Sequence, residues 1–253
     1  MSADPGSLWT LAALAALAAL AFAGSLLFGL TGFGSALITI PLATYFVPLP
    51  FALALFSLVD LANALRIGLE NPGNAQRGEW TRLAPMILVG TALGVTLLVN
   101  LPRGAAMGAL GVFVALYALY SLAQRGAPQQ VVGRGWAWLA GFAGGITSTL
   151  FGAGGPPYAI YLSRRGLTKE QFRATLGFAT LTSISLRVLA FLLTGLLLEP
   201  RVGLAALVAL PAAWLGMSLA RRVFLRVSRE QLMRAVALVL LATGSSLIAR
   251  AFA

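Results

Sequence analysis

Apolar runs close to the ~20 residues a helix needs to cross a bilayer recur along this chain from one end to the other. They fall at about 8–28, 35–47, 51–69, 83–100, 104–122, 136–150, 155–163, 171–194, 202–219 and 231–249. No stretch is left over for a sizeable soluble domain. Of the 253 residues 59% are hydrophobic and 10% charged, more apolar surface than one soluble core of that length can bury, so lipid must solvate much of it. The expected fold is an all-α polytopic membrane protein, a single transmembrane domain over 1–253.

Charge and composition narrow the function. Cysteine and histidine are both absent, which removes thiol nucleophiles, disulfides, most zinc and haem sites and the commonest general base. Neither a metal, a cofactor nor an enzymatic activity is expected. The formal charge of +11 comes from arginines clustered between apolar spans, where the positive-inside rule puts them, so it signals topology and not a nucleic-acid partner. Met1 to Ser7 carries no basic side chain, so the first span is expected to be retained. Trp80, Trp136 and Trp138 sit at span edges as interfacial anchors.

Two of the apolar segments, 35–47 and 155–163, are too short to span comfortably, and each follows a glycine-rich break. The breaks are Gly29-Leu30-Thr31-Gly32-Phe33-Gly34 and Phe151-Gly152-Ala153-Gly154-Gly155-Pro156-Pro157. A shift of 120 superposes Gly32 on Gly152, Gly34 on Gly154 and Ile40 on Ile160, and a shift of 121 matches Phe51 with Phe172 and Arg66 with Arg187. The pattern reads as a tandem duplication of about five segments, repeat one about 8–122 and repeat two about 136–250.

Counting every segment as a crossing gives an inverted 5+5 arrangement. It puts the basic loops Arg164 to Arg173 and Arg221 to Arg229 in the cytoplasm with 77–82 and 125–134, leaving Arg103, Arg201 and Arg250 outside. Re-entrant short segments would give a 4+4 alternative, which divides the basic loops between the two faces. The charge distribution favours the inverted arrangement.

A break within a membrane segment leaves backbone N–H and C=O groups that protein, water or substrate must satisfy. The N-terminus of a following half-helix favours an anion. Gly32, Gly34, Ser35, Gly152, Gly154 and Gly155 are therefore candidate substrate-binding positions, and a side chain at Gly34 or Gly154 is expected to block the site more than it harms packing. Gly141 with Gly145 and Gly90 with Gly94, at GxxxG spacing, are read as packing contacts. Arg187, deep in a span beside Thr180, Thr182, Ser183 and Ser185, is a further candidate for the anion, with snorkelling to an interface as its alternative. Its counterpart Arg66 divides equally between the site and a helix end near Glu70. Asp60 is the one acid deep in a span, and it is either a proton carrier or the partner of a buried arginine.

With the paired breaks in view, the chain resembles the sulfite exporter TauE/SafE family over nearly its whole length. The resemblance rests on Gly29-Leu30-Thr31-Gly32-Phe33-Gly34-Ser35 with Pro41, and on Phe151-Gly152-Ala153-Gly154-Gly155-Pro156. It implies export of sulfite, an organosulfonate or a related small sulfur oxyanion across the inner membrane by a secondary transporter, with protons as the candidate coupling ion. The family also takes in uptake permeases, so direction stays open, as does homo-oligomerisation. A membrane scaffold or an intramembrane enzyme are the rival classes; a scaffold needs no repeat-related breaks, and an enzyme needs a nucleophile with a base.

Overall fold

The computed structural model describes residues 11–70, 72–123, 131–223, 237 and 240–249. Met1 to Ser7, Arg125, the basic loop at Arg221 to Arg229 from residue 224 onward, and Arg250 lie outside them. Every long element described is a helix: α1 Leu11–Thr31, α2 Ser35–Ala43, α3 Leu49–Gly68, α4 Arg77–Asn100, α5 Arg103–Ala123, α6 Trp136–Phe151, α7 Gly155–Ser163, α8 Lys169–Leu193 and α9 Pro200–Val223. A last helix, α10, covers Leu240–Ala249. Six of these (α1, α3, α4, α5, α8 and α9) are long and apolar enough to cross a membrane. Leu116, Leu207 and Trp214 are exposed on the outside of the bundle, as lipid-facing positions should be. The chain is an integral membrane protein.

The glycine breaks end α1 and α6 by backbone conformation. Gly32 (φ +82) and Gly152 (φ +71) adopt the left-handed region, which glycine enters without a Cβ penalty. At the second break the N–H of Gly152 donates to Ser148 O at 2.9 Å and that of Ala153 to Thr147 O at 3.1 Å, satisfying two of the last carbonyls of the helix. The nine-residue helices that follow are about 14 Å long and fold back. A Cβ on Gly24 would lie 2.4 Å from Thr39 Cγ2, and one on Gly144 would lie 2.1 Å from Tyr158 Cε1, so each short helix runs beside the one before it. Val132 N also donates to Arg164 O at 3.1 Å, joining the start of α6 to the end of α7. In the first half the hairpin is followed by the three long helices α3, α4 and α5; in the second, by the long helices α8 and α9 and by α10.

Close packing fixes how these parts run. Leu83 lies against Gly141 and Gly94 against Thr149, so α4 and α6 are parallel; Phe22 against Gly216 and Gly29 against Ala220 make α1 and α9 parallel. These contacts use absent side chains: a Cβ on Gly145 would stand 2.5 Å from Ile87 O, and one on Gly216 would stand 2.1 Å from Phe22 O. Asp60 pairs with Arg187 while Gly68 meets Gly177, so α3 and α8 are antiparallel. Helix α5 meets α10 at Gly111 and Gly244. Exchanging α1–α5 for α6–α10 carries each of these pairs onto itself or another.

Candidate functional site

The two breaks meet. Gly34, Ser35, Gly152, Gly154 and Gly155 line one small cavity together with Asp60 of α3, Ser148 of α6, Tyr158 of α7 and Thr180 and Ser183 of α8. The hairpins touch directly, since a Cβ on Gly155 would lie 2.4 Å from Phe33 Cβ. The cavity measures about 10 Å³, room for about one water.

Half-helix N-termini face it from two sides, but they are not equal. Helix α2 presents the N–H groups of Ser35, Ala36 and Leu37 in its first turn. In α7 the same turn contains Pro156 and Pro157, which have no N–H, so only Gly154 and Gly155 can donate. Arg187 supplies the positive charge and is 1% exposed. Its Nη2 donates to Asp60 Oδ2 at 2.8 Å and its Nη1 to Ser148 O at 3.0 Å. Nη1 also sits 3.1 Å from the point a Cβ on Gly152 would occupy, so the missing side chain at Gly152 is what lets the guanidinium reach the break. The other carboxylate oxygen, Asp60 Oδ1, accepts Ser35 Oγ at 2.5 Å. Tyr158 OH donates to Ser183 Oγ at 3.0 Å.

Two of the buried polar atoms without a protein partner lie at the site: Arg187 Nε and, on the cavity wall, Ser148 Oγ. An unsatisfied buried group costs about 1–3 kcal/mol, and a ligand with several acceptor oxygens would relieve it. Among the described residues no cluster of three metal-ligating side chains occurs.

The structure separates the remaining sequence candidates. Gly32 caps α1 outside the cavity lining, and a Cβ there would meet only Leu176 Cδ2, at 3.9 Å. Arg66 lies six residues beyond Asp60, about 9 Å along α3, and turns to α9, where Nη1 donates to Ser218 Oγ at 3.1 Å and the guanidinium lies 6.0 Å from the Trp214 ring. The expectation that a side chain at Gly34 or Gly154 would block the site more than it harms packing needs correction. A Cβ on Gly154 would stand 2.8 Å from Gly144 O, and Gly34 holds φ +91, so either substitution damages its hairpin.

Ser148 and Tyr158 were not singled out from sequence. A signal did exist for Thr180 and Ser183, which share a face with Arg187 at helical spacing; Thr182 instead accepts Trp80 Nε1 at 2.9 Å. Glu79, in the first turn of α4, is buried. It accepts Tyr161 OH and both Nε and Nη2 of Arg165, at 3.2 and 3.0 Å, while Arg165 Nη1 donates to Val132 O at 2.6 Å. This cluster ties the open end of the α6–α7 hairpin to α4. Close by, Arg173 pairs with Glu70 at 3.6 Å and Gln76 N donates to Thr175 Oγ1 at 2.9 Å, so the loops before α4, α6 and α8 share one end of the molecule.

Residues 16–247 match the family model described as sulfite exporter TauE/SafE. The chain belongs to the TauE/SafE family. A protein of Cupriavidus necator described as a probable sulfite/organosulfonate exporter TauE is 30% identical over 238 residues, covering 89% of this chain and 90% of its own length. No solved structure matches. Membership in TauE/SafE places the chain in a transporter family, and the paired breaks through which the resemblance was drawn are the segments that wall the cavity.

Proposed function

We propose that the protein is a secondary transporter that exports sulfite, an organosulfonate or a related small sulfur oxyanion across the inner membrane. The observation that carries this reading is the convergence of two half-helix N-termini on one cavity, two of whose wall residues, Asp60 and Ser148, hold the desolvated Arg187, with Arg187 Nε and Ser148 Oγ unsatisfied. Positive helix ends, a guanidinium and a hydroxyl suit a tetrahedral or pyramidal oxyanion with several acceptors. A cavity of about 10 Å³ is too small for sulfite, so anion entry requires the hairpins or the Asp60–Arg187 pair to move. We read the halves as inverted repeats about the antiparallel α3–α8 pair, the arrangement that supports alternating access.

Sulfite efflux from liposomes containing only this protein tests the reading. Protein-dependent flux is expected, and Ser148→Ala, which removes one hydrogen bond to the anion, should weaken apparent affinity by roughly 1 kcal/mol, about fivefold. A folded protein that carries no sulfite or sulfonate in either direction would return the chain to a scaffold role.

The shared end with Arg134, Arg164, Arg165, Lys169 and Arg173 is read as cytoplasmic. The chain has no native cysteine, so single cysteines report cleanly. In intact cells Lys169→Cys should resist a membrane-impermeant thiol reagent, and Leu198→Cys, exposed at the opposite end of α8, should react. The reverse pattern would turn the protein over in the membrane.

A further inference from the structure

We infer that the anion and a proton occupy the site together: the incoming oxyanion takes Arg187 from Asp60, and the displaced Asp60 carboxylate is neutralised by a proton from solvent. This rests on the transporter reading above and adds the coupling ion and its stoichiometry.

Geometry sets up the competition. Before anion entry Arg187 and Asp60 neutralise one another at 2.8 Å, with 1% and 3% of their side chains exposed. An oxyanion drawn to the guanidinium finds Nη2 held by Asp60 and Nη1 by Ser148 O. Three of the five N–H groups remain for it, but one guanidinium cannot neutralise two buried anions, so the oxyanion competes with the Asp60 carboxylate for Arg187. Asp60 then keeps only the Ser35 hydroxyl. A buried carboxylate stripped of its cation is strongly disfavoured. Forming an O–H bond on Oδ2, with the proton supplied by water on whichever side the site is open, removes the charge.

Among the described residues no other group is placed to take that role. The segments walling the cavity place no other acid near it: α1, α2 and α6 contain no charged residue, and α7 adds Tyr158 and Tyr161. Helix α8 contributes Arg187, its other charges lying within its first five residues. Helix α9 carries arginines only near its ends, and on α3 itself Arg66 is bound to Ser218. Arginine stays charged and tyrosine titrates at about pH 10 in water. Asp60 is left as the group that exchanges a proton.

The charge count follows. The empty site holds Arg187 positive and Asp60 negative; the loaded site holds Arg187 positive, the anion negative and Asp60 neutral. A monoanion therefore crosses with one proton in the same direction, without net charge, and an acidic cytoplasm would favour export.

Methanesulfonate is the probe, because its sulfonate does not titrate near neutral pH. Added to the purified full-length protein in weakly buffered detergent, it should cause uptake of one proton per anion bound, read with a pH indicator. Its affinity should fall about tenfold per pH unit where the empty site has Asp60 ionised. Asp60→Asn, which no longer competes for Arg187, should bind it more tightly and with no pH dependence. Binding without proton uptake and with affinity independent of pH overturns the inference while leaving the transporter reading in place. Absence of both binding and flux for every sulfur oxyanion defeats the transporter reading itself. Because the proton-uptake measurement needs only the unaltered protein, the result stands even if Asp60→Asn fails to fold.

Discussion

Arg187→Ala should reduce sulfite or methanesulfonate flux by about thirtyfold or more, since losing a desolvated, charge-assisted contact to an anion costs on the order of 2–5 kcal/mol. Arg187→Lys should recover little of it, because one ammonium cannot hold both Ser148 O and Asp60 as the planar guanidinium does. Removing Arg187 alone also strands Asp60, at about 3–5 kcal/mol of stability. The double variant Arg187→Met with Asp60→Asn relieves that cost and should restore the melting temperature without restoring flux. Burial and pairing leave no room for the snorkelling alternative. Flux within threefold of the unaltered protein in Arg187→Ala would remove the arginine from the transport cycle.

The second large effect is expected at Gly152. An alanine there must hold φ +71, which costs about 1–2 kcal/mol. Its Cβ would also stand 2.8 Å from Ala36 Cβ and 3.1 Å from Arg187 Nη1. Overpacking adds about 1–3 kcal/mol, so Gly152→Ala should lower stability by roughly 3 kcal/mol and abolish anion binding together. Gly166→Ala is the control. Gly166 is also left-handed, at φ +67, but a Cβ there would meet nothing within 4 Å, so only the backbone cost remains and binding should survive. Equal losses in the two variants would show that contact between the hairpins contributes nothing.

Much of this arrangement could be read from the chain. Glycine pairs at four-residue spacing marked the α4–α6 contact because close helix approach leaves no room for a Cβ. The breaks were visible because no continuous apolar helix accommodates Gly152, Gly154 and Gly155 before two prolines. Arg187 and Asp60 stood out because charge deep in an apolar segment is rare. What remained hidden depends on directions the sequence does not encode locally. Hydropathy is the same whether α2 continues onward or folds back along α1. Glu79 looks like any first-turn acid until Tyr161 and Arg165, more than eighty residues later, close over it. Arg66 and Arg187 occupy matching places in the two halves, yet only Arg187 faces a carboxylate across the α3–α8 contact, whereas Arg66 finds Ser218 and Trp214.

The parallel packing of α1 with α9 and of α6 with α4 bears on how the protein is made. The first hairpin leaves the ribosome well before α9, the helix it lies against. The last packing surface of α1, at Phe22 and Gly29, waits for Gly216 and Ala220. The second hairpin emerges with its partner α4 already in place. Biogenesis is therefore lopsided where the finished molecule is balanced: the first half must be held in the membrane with an uncovered hairpin until nearly the whole chain has been synthesised, and the second half completes it.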